Sequence, residues 1–265
     1  LKQISILGCG WLGLSLAKSL IENGFKVKGS TTTLSKIKIL EEAGIHPFLI
    51  ALREKVEGEI EKFLQDIDVL IIDIPPKLKR DLNDSFVAKI DAVVPFIEKS
   101  SVKKVIFISS TSVYGDNAAV VTENTIPIPE TESGKQLLAS ENRLQNNPSF
   151  LITILRFGGL IGDERHPIYF LSGRENIENP DAPINLIHQK DCIQIIQQII
   201  EREIWNETFN AVAPFHPSRK DYYTEKAIEW KLDLPKFNTS QNSGGKTIDS
   251  TKLITQLGYV FKKLD

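Results

Sequence analysis

The chain has no methionine, only two cysteines and only four histidines among its 265 residues. Thiols as far apart as Cys9 and Cys192 spell neither a disulfide framework nor a thiolate metal site, and a reducing cytoplasm is the expected setting. No histidine cluster has zinc or iron spacing, so no metal is expected. No uninterrupted apolar stretch is long enough to span a bilayer, which argues against a membrane partner. Long basic runs are missing too. A formal net charge of −2 and a pI near 6.2 give nucleic acid little to hold. The absence of methionine even at position 1 fits a chain trimmed at its amino terminus. No secretory leader is expected, because the sequence opens directly on a strand and a glycine turn.

What is present is ordinary for a soluble globular protein, with 41% hydrophobic and 25% charged residues. The length suits one large α/β domain, or one domain with a small appendage. The most informative stretch is Ile4–Gly13, ISILGCGWLG, followed by the helical pattern LSLAKSLIENG. Gly8 lets the chain turn sharply off a strand. Gly10 leaves room for the backbone to approach a pyrophosphate, and Gly13 lets a helix pack close to that strand. The helix N-terminus then offers N–H groups and a partial positive charge to phosphates. The alternative is a glycine turn with a purely structural purpose. The position after an apolar run and before an amphipathic helix is the context that a dinucleotide-binding βαβ unit requires.

Strand and helix signals alternate through the first two-thirds. Strands are expected at Gln3–Leu7, Lys26–Gly29, His46–Ile50, Asp68–Ile74, Lys104–Ser109 and Leu151–Leu155. Helices are expected at Leu12–Asn23, Ser35–Ala43, Asn83–Lys99 and Ser133–Asn146. This order predicts an α/β, Rossmann-like doubly wound parallel sheet with a small C-terminal substrate lobe. Further on, a helix Asp191–Glu201 with Asp191 as N-cap, a strand Thr208–Val212 and a helix Asp221–Trp230 are expected. The expected boundaries are 1–157, with 185–213 returning to it, for the dinucleotide-binding domain, and 158–184 with 214–265 for the lobe.

Cofactor choice is set about 20 residues past the glycine loop, where a carboxylate would bind the ribose 2′-OH. Here the sequence is KGSTTTLSK, with no carboxylate. The hydroxyls of Ser30–Thr33 and the cation of Lys36 suit a 2′-phosphate and favour NADP over NAD. A plainer reading makes Thr33 or Ser35 a helix cap. The residues expected to bind cofactor are Gly8, Gly10, Trp11, Leu12, Gly13, Thr31, Thr32, Lys36, Ile74, Pro75 and Ser109.

The glycine loop, the segment FISSTSVYG ending at Gly115, and Asn185-Leu-Ile-His188 followed by Asp191 carry a likeness in order and spacing over essentially the whole chain. The chain resembles the extended short-chain dehydrogenase/reductase superfamily, in its nucleotide-sugar epimerase and dehydratase group. The resemblance implies that Ser110, with Thr111 beside it, hydrogen-bonds the reacting oxygen. It also implies a Tyr-x-x-x-Lys pair on the following helix, where the lysine cation would lower the tyrosine pKa. That stretch reads PETESGKQLLASE. If Lys135 is the lysine, Thr131 stands at the tyrosine position. If Glu141 matches the family's usual glutamate, the pair becomes Ser133 and Leu137. Neither register holds a tyrosine. Tyr222 and Lys226 have the spacing but lie beyond the sheet, on what reads as an amphipathic surface helix.

Proton transfer would then fall to His166, Tyr114 or water. Arg165 and Arg174 are the candidate cations for a phosphate, a carboxylate or a sugar nucleotide, with Tyr114 as a further substrate contact. His188 ahead of Asp191 reads as a brace. Two functions follow. One is an NAD(P)-dependent oxidoreductase or epimerase-like enzyme acting on a small polar substrate such as a sugar or nucleotide sugar, possible as a homodimer. The other is a catalytically silent protein that senses NADP or scaffolds a partner.

Overall fold

Val69–Ile72 is apolar at every position, and such runs form strands covered on both faces. In the computed structural model this run lies within a parallel sheet. The structure describes residues 2–53, 55–76, 85–116, 119–240 and 244–264. The main strands are β1 (Gln3–Leu7), β2 (Lys26–Thr31), β3 (His46–Leu49), β4 (Val69–Ile72), β5 (Lys104–Ser110), β6 (Leu151–Phe157) and β7 (Thr208–Ala211). They form one seven-stranded sheet in the order β7-β6-β5-β4-β1-β2-β3. The pairs β1–β2, β2–β3, β1–β4 and β4–β5 are all parallel. The doubly wound expectation holds.

The crossovers include α1 (Trp11–Glu22), α2 (Ile37–Glu42), α3 (Ile60–Leu64), α4 (Phe86–Lys99) and α5 (Glu132–Gln145). Helix α1 buries Leu12, Leu16, Ala17 and Leu20, one apolar stripe at helical spacing. Each buried leucine contributes roughly 1.5–3 kcal/mol, more than any propensity difference along the helix. Helix α4 is capped by Ser85, whose hydroxyl accepts from the Ala88 N–H. The expected start of α4 at Asn83 and Asp84 lies outside the described residues. Strands β2 and β6 each run two residues beyond their expected ends, to Thr31 and Phe157. For β2, pairing with β3 continues as far as Thr31.

The chain divides into two units. The first comprises Leu1–Val113, Pro129–Arg156 and Ile193–Thr208, and the second Tyr114–Ile128, Phe157–Cys192 and Phe209–Asp265. This division differs from the expected boundaries by placing 114–128, 157, 185–192 and 209–213 in the second unit. The reason for 114–128 is local pairing. Val120 and Val121 run parallel to Thr247 and Ile248, and Lys246 donates to the Tyr114 carbonyl at 2.6 Å.

The second unit also holds α6 (Ile168–Leu171), the start of α7 (Gln189–Glu201), α8 (Arg219–Glu229) and α9 (Thr251–Leu257). Its core gathers Ile161, Ile168, Ile184, Leu186, Tyr222, Tyr223 and Ala227. Helix α7 begins two residues before its expected N-cap, so Asp191 sits in the first turn instead. Its carboxylate is fully buried and accepts from the Tyr259 hydroxyl at 2.6 Å. His188 takes the Lys190 N–H on Nδ1, and its Nε2 lies 3.7 Å from Asp163.

Candidate functional site

Strand order locates the crevice. From β1 the chain winds through β2 and β3 on one side. From β4 it winds through β5 and β6 on the other. The neighbours β1 and β4 therefore flank the point where the winding reverses, and open parallel sheets bind ligands at the carboxyl ends of such strands.

The glycine loop leaves β1 at this point. Gly8 has φ +110°, and a Cβ there would lie 2.3 Å from the Asp73 carbonyl oxygen. A Cβ on Gly13 would lie 2.3 Å from the Gly8 carbonyl oxygen. Both glycines are thus required by the fold itself. Gly10 differs. It is exposed, and among the described residues no protein atom comes within 4 Å of where its Cβ would stand. Ser30 of β2 anchors the turn, accepting the Gly8 N–H on Oγ at 2.9 Å and the Cys9 N–H on its carbonyl at 2.8 Å. Trp11 and Leu12 open α1, which carries no acidic residue in its first turn. The Leu12 side chain is buried.

At the end of β2, Thr31 is buried and its hydroxyl accepts from the Thr33 N–H at 3.2 Å. Thr32 and Lys36 are exposed. Thr33 precedes the short 3₁₀ turn Leu34–Lys36 but makes no side-chain cap. At the end of β4, Asp73 leads into Ile74 and Pro75, half-buried and exposed respectively. The Asp73 carboxyl lies beside Gly13, with Oδ2 3.0 Å from where a Cβ there would stand, and burial, only partly opposed by the Gly13 N–H, pushes it up to about 8. Sequence reasoning missed Asp73. The available signal was a lone acid closing an apolar strand before two prolines.

The end of β5 holds the hydroxyl segment. The Ser109 side chain turns inward and donates to Glu141 at 2.5 Å, so its hydroxyl is committed to the core. Glu141 is fully buried and binds the Arg156 guanidinium, with Nη2 to Oε2 at 2.6 Å. Ser110 is half-buried. Its oxygen accepts the Ser112 N–H at 3.1 Å, which orients the hydroxyl and leaves its hydrogen to donate. Thr111 is buried. On α5, Thr131 is the N-cap and accepts from Gly134, while Lys135 is exposed. In the other register Ser133 is half-buried and Leu137 packs into the core.

In the second unit two expected proton donors are otherwise engaged. Tyr114 is buried, with its hydroxyl donating to Asn210 Oδ1 at 2.9 Å. His166 is buried too. Its Nε2 meets the Tyr222 hydroxyl at 3.0 Å and its Nδ1 accepts the Ile168 N–H at 3.2 Å. Burial, then the Lys226 cation, hold its pKa down at about 4, so at neutral pH the ring is uncharged. Both side chains thus enter hydrogen bonds within the second unit.

The surface-helix reading of Tyr222 and Lys226 also gives way. Both belong to the buried face of α8, where Lys226 pairs with Glu229 at 2.8 Å and lies over the Trp230 ring. Arg165 and Arg174 are exposed, and the Arg165 main chain closes a turn with Gly162.

A doubly wound parallel sheet whose first turn is a tight glycine loop at the reversal point defines a Rossmann-class α/β protein, of the extended short-chain dehydrogenase/reductase fold. A comparison with protein-family models finds no match. Protein YeeZ of Escherichia coli (strain K12) is 32% identical over 268 residues, spanning 100% of this chain and 97% of its own length. The chain belongs to the family of that protein. Among solved structures, UDP-glucuronic acid 4-epimerase from Bacillus cereus in complex with NAD superposes with a TM-score of 0.83 at 21% identity, over 98% of this chain and 92% of that one. A functionally unknown conserved protein from Silicibacter pomeroyi gives 0.82 at 20% identity, over 100% and 95%. At these identities the structural likeness is one of fold. No described helix is long and apolar enough to cross a membrane.

Proposed function

We propose that the chain binds a nicotinamide dinucleotide over the glycine loop. With it the chain acts as an oxidoreductase or epimerase-like enzyme on a small polar substrate such as a sugar or nucleotide sugar. One observation carries this reading. Gly8 and Gly13 are explained by packing, whereas the space beside Gly10 is filled by none of the described residues and suits a diphosphate lying against the backbone. When bound, the cofactor supplies hydride transfer. Main-chain N–H groups of the first turn of α1 would hold its diphosphate. Thr32 and Lys36 would take a 2′-phosphate, which favours NADP. Ser110 would donate its hydroxyl proton in a hydrogen bond to the substrate oxygen that changes charge.

A second reading has its own support. With Tyr114 and His166 committed inside the second unit and no tyrosine on α5, the chain suits a dinucleotide-binding protein without turnover. The two readings separate in one experiment. Calorimetry with NAD and NADP measures binding, and absorbance at the reduced-nicotinamide band then follows a panel of sugar nucleotides, ketones and aldehydes. Turnover that drops about 100-fold or more in Ser110→Ala, with cofactor affinity kept, supports the enzyme. Cofactor binding without turnover on any substrate class supports the silent reading.

A further inference from the structure

Asp73 stands at the lip of the crevice between β1 and β4, its backbone against Gly8 and its carboxyl beside Gly13. A Cβ on Gly8 would strike its carbonyl oxygen at 2.3 Å, and one on Gly13 would lie 3.0 Å from its Oδ2. The Gly13 N–H, in the first turn of α1, points at this carboxyl. An anion brought to the same turn therefore comes to rest beside an acid that the fold already holds there. We propose that Asp73 is a proton-linked residue of the dinucleotide site, required in its neutral form for a diphosphate to occupy the loop, so that binding above neutral pH takes up a proton. This inference rests on the dinucleotide reading above.

The surroundings support it. Burial raises Asp73 to about 8, so at neutral pH the carboxyl is mostly protonated. The neighbouring Cys9 thiol is also neutral, held at about 12 chiefly by burial and next by the Asp73 charge. Lys36 acts on that thiol in the opposite sense. Helix α1 brings no acid in its first turn, and β4 carries none along Val69–Ile72. On the β5 side, the buried Glu141 is paired with Arg156 and takes the Ser109 hydroxyl. Among the described residues, Asp73 is thus the group on this lip whose charge changes within the accessible pH range. A neutral carboxyl can donate to a phosphate oxygen, whereas an ionised one repels it.

The test uses NAD, whose diphosphate stays fully ionised from about pH 6 to about pH 9.5. Binding to the native chain is measured by calorimetry across that range, in buffers with different heats of ionisation. Affinity is expected to be flat below about pH 8 and then to fall, approaching tenfold per pH unit, with buffer-dependent heats that report uptake of up to one proton. Asp73→Asn is expected to bind at the neutral-pH affinity throughout. Native binding that is independent of pH and of buffer overturns the proposal while leaving the dinucleotide reading intact. An unchanged pH profile in Asp73→Asn also overturns it. Absence of binding at every pH, in a chain shown to be folded, removes both. The buffer series needs no variant, so the proposal stays testable if Asp73→Asn fails to fold.

Discussion

Replacing Glu141 with leucine is expected to destabilise the first unit by about 3–5 kcal/mol, a large share of the stability of an ordinary domain. Glu141 is fully buried, and it accepts three hydrogen bonds from Arg156, to Nε at 3.1 and 3.2 Å and to Nη2 at 2.6 Å. The leucine variant removes the Glu141 carboxylate from that buried guanidinium and also removes the acceptor of the Ser109 hydroxyl. A buried charge that has lost its partner costs far more than the pair contributes, because desolvation of the survivor is no longer offset. Chemical denaturation measures the loss as a lower midpoint at unchanged slope. The double variant Glu141→Leu with Arg156→Met is the decisive control. It removes both charges and is expected to recover most of the deficit. If the double variant is as unstable as the single one, lost packing rather than loss of the ion pair is responsible. Because Ser109 adjoins Ser110, the single variant is also expected to loosen the hydroxyl segment and to lower any Ser110-dependent turnover.

The parts of this molecule that could be read along the chain are those whose cause is local. The glycine loop, the buried strand ending at Ile72 and the stripe of α1 each rest on spacing within a few residues, and periodicity reports such spacing directly. The missed features depend on pairing between distant segments. Nothing near Asp73 in sequence shows that it abuts Gly13, and nothing near Glu141 shows that it meets both Ser109 and Arg156. Ser109 illustrates the cost. As a hydroxyl ending a parallel strand it reads as a cofactor contact, but the core claims its side chain. His166 and Tyr114 show the same effect in the second unit. Polar residues in glycine-rich or strand-end loops read as exposed, whereas both are buried with hydrogen-bonded partners supplied from α8 and β7. The Tyr-x-x-x-Lys spacing on α8 was legible as one helix face. Which way that face turned was not, because packing against Ile168 and Trp230 decides it.

Alanine at Gly10 and at Gly13 is expected to separate what the fold needs from what the ligand needs. At Gly13 the new methyl would stand 2.3 Å from a backbone oxygen, and backbone cannot swing aside as a flexible side chain can. Overpacking of that kind costs about 1–3 kcal/mol or more, so Gly13→Ala should melt lower and bind less for that reason alone. At Gly10 the methyl meets no atom of the described residues within 4 Å, and φ is −83°, outside the left-handed region that favours glycine. The remaining cost is a poorer helix cap, about 1 kcal/mol. Gly10→Ala should therefore fold much as the native chain does. Its methyl would nevertheless fill the space against which a diphosphate is proposed to lie, and main-chain N–H groups cannot grip phosphate oxygens at hydrogen-bond distance through an intervening carbon. A loss of NAD or NADP affinity of about 100-fold is expected, equivalent to about 2.7 kcal/mol, with the thermal shift by cofactor abolished. The pair of variants is read by melting and calorimetry together. Undiminished cofactor binding in a well-folded Gly10→Ala protein would mean that the opening beside the loop is not where the diphosphate sits, and the proposed function would lose the observation on which it stands.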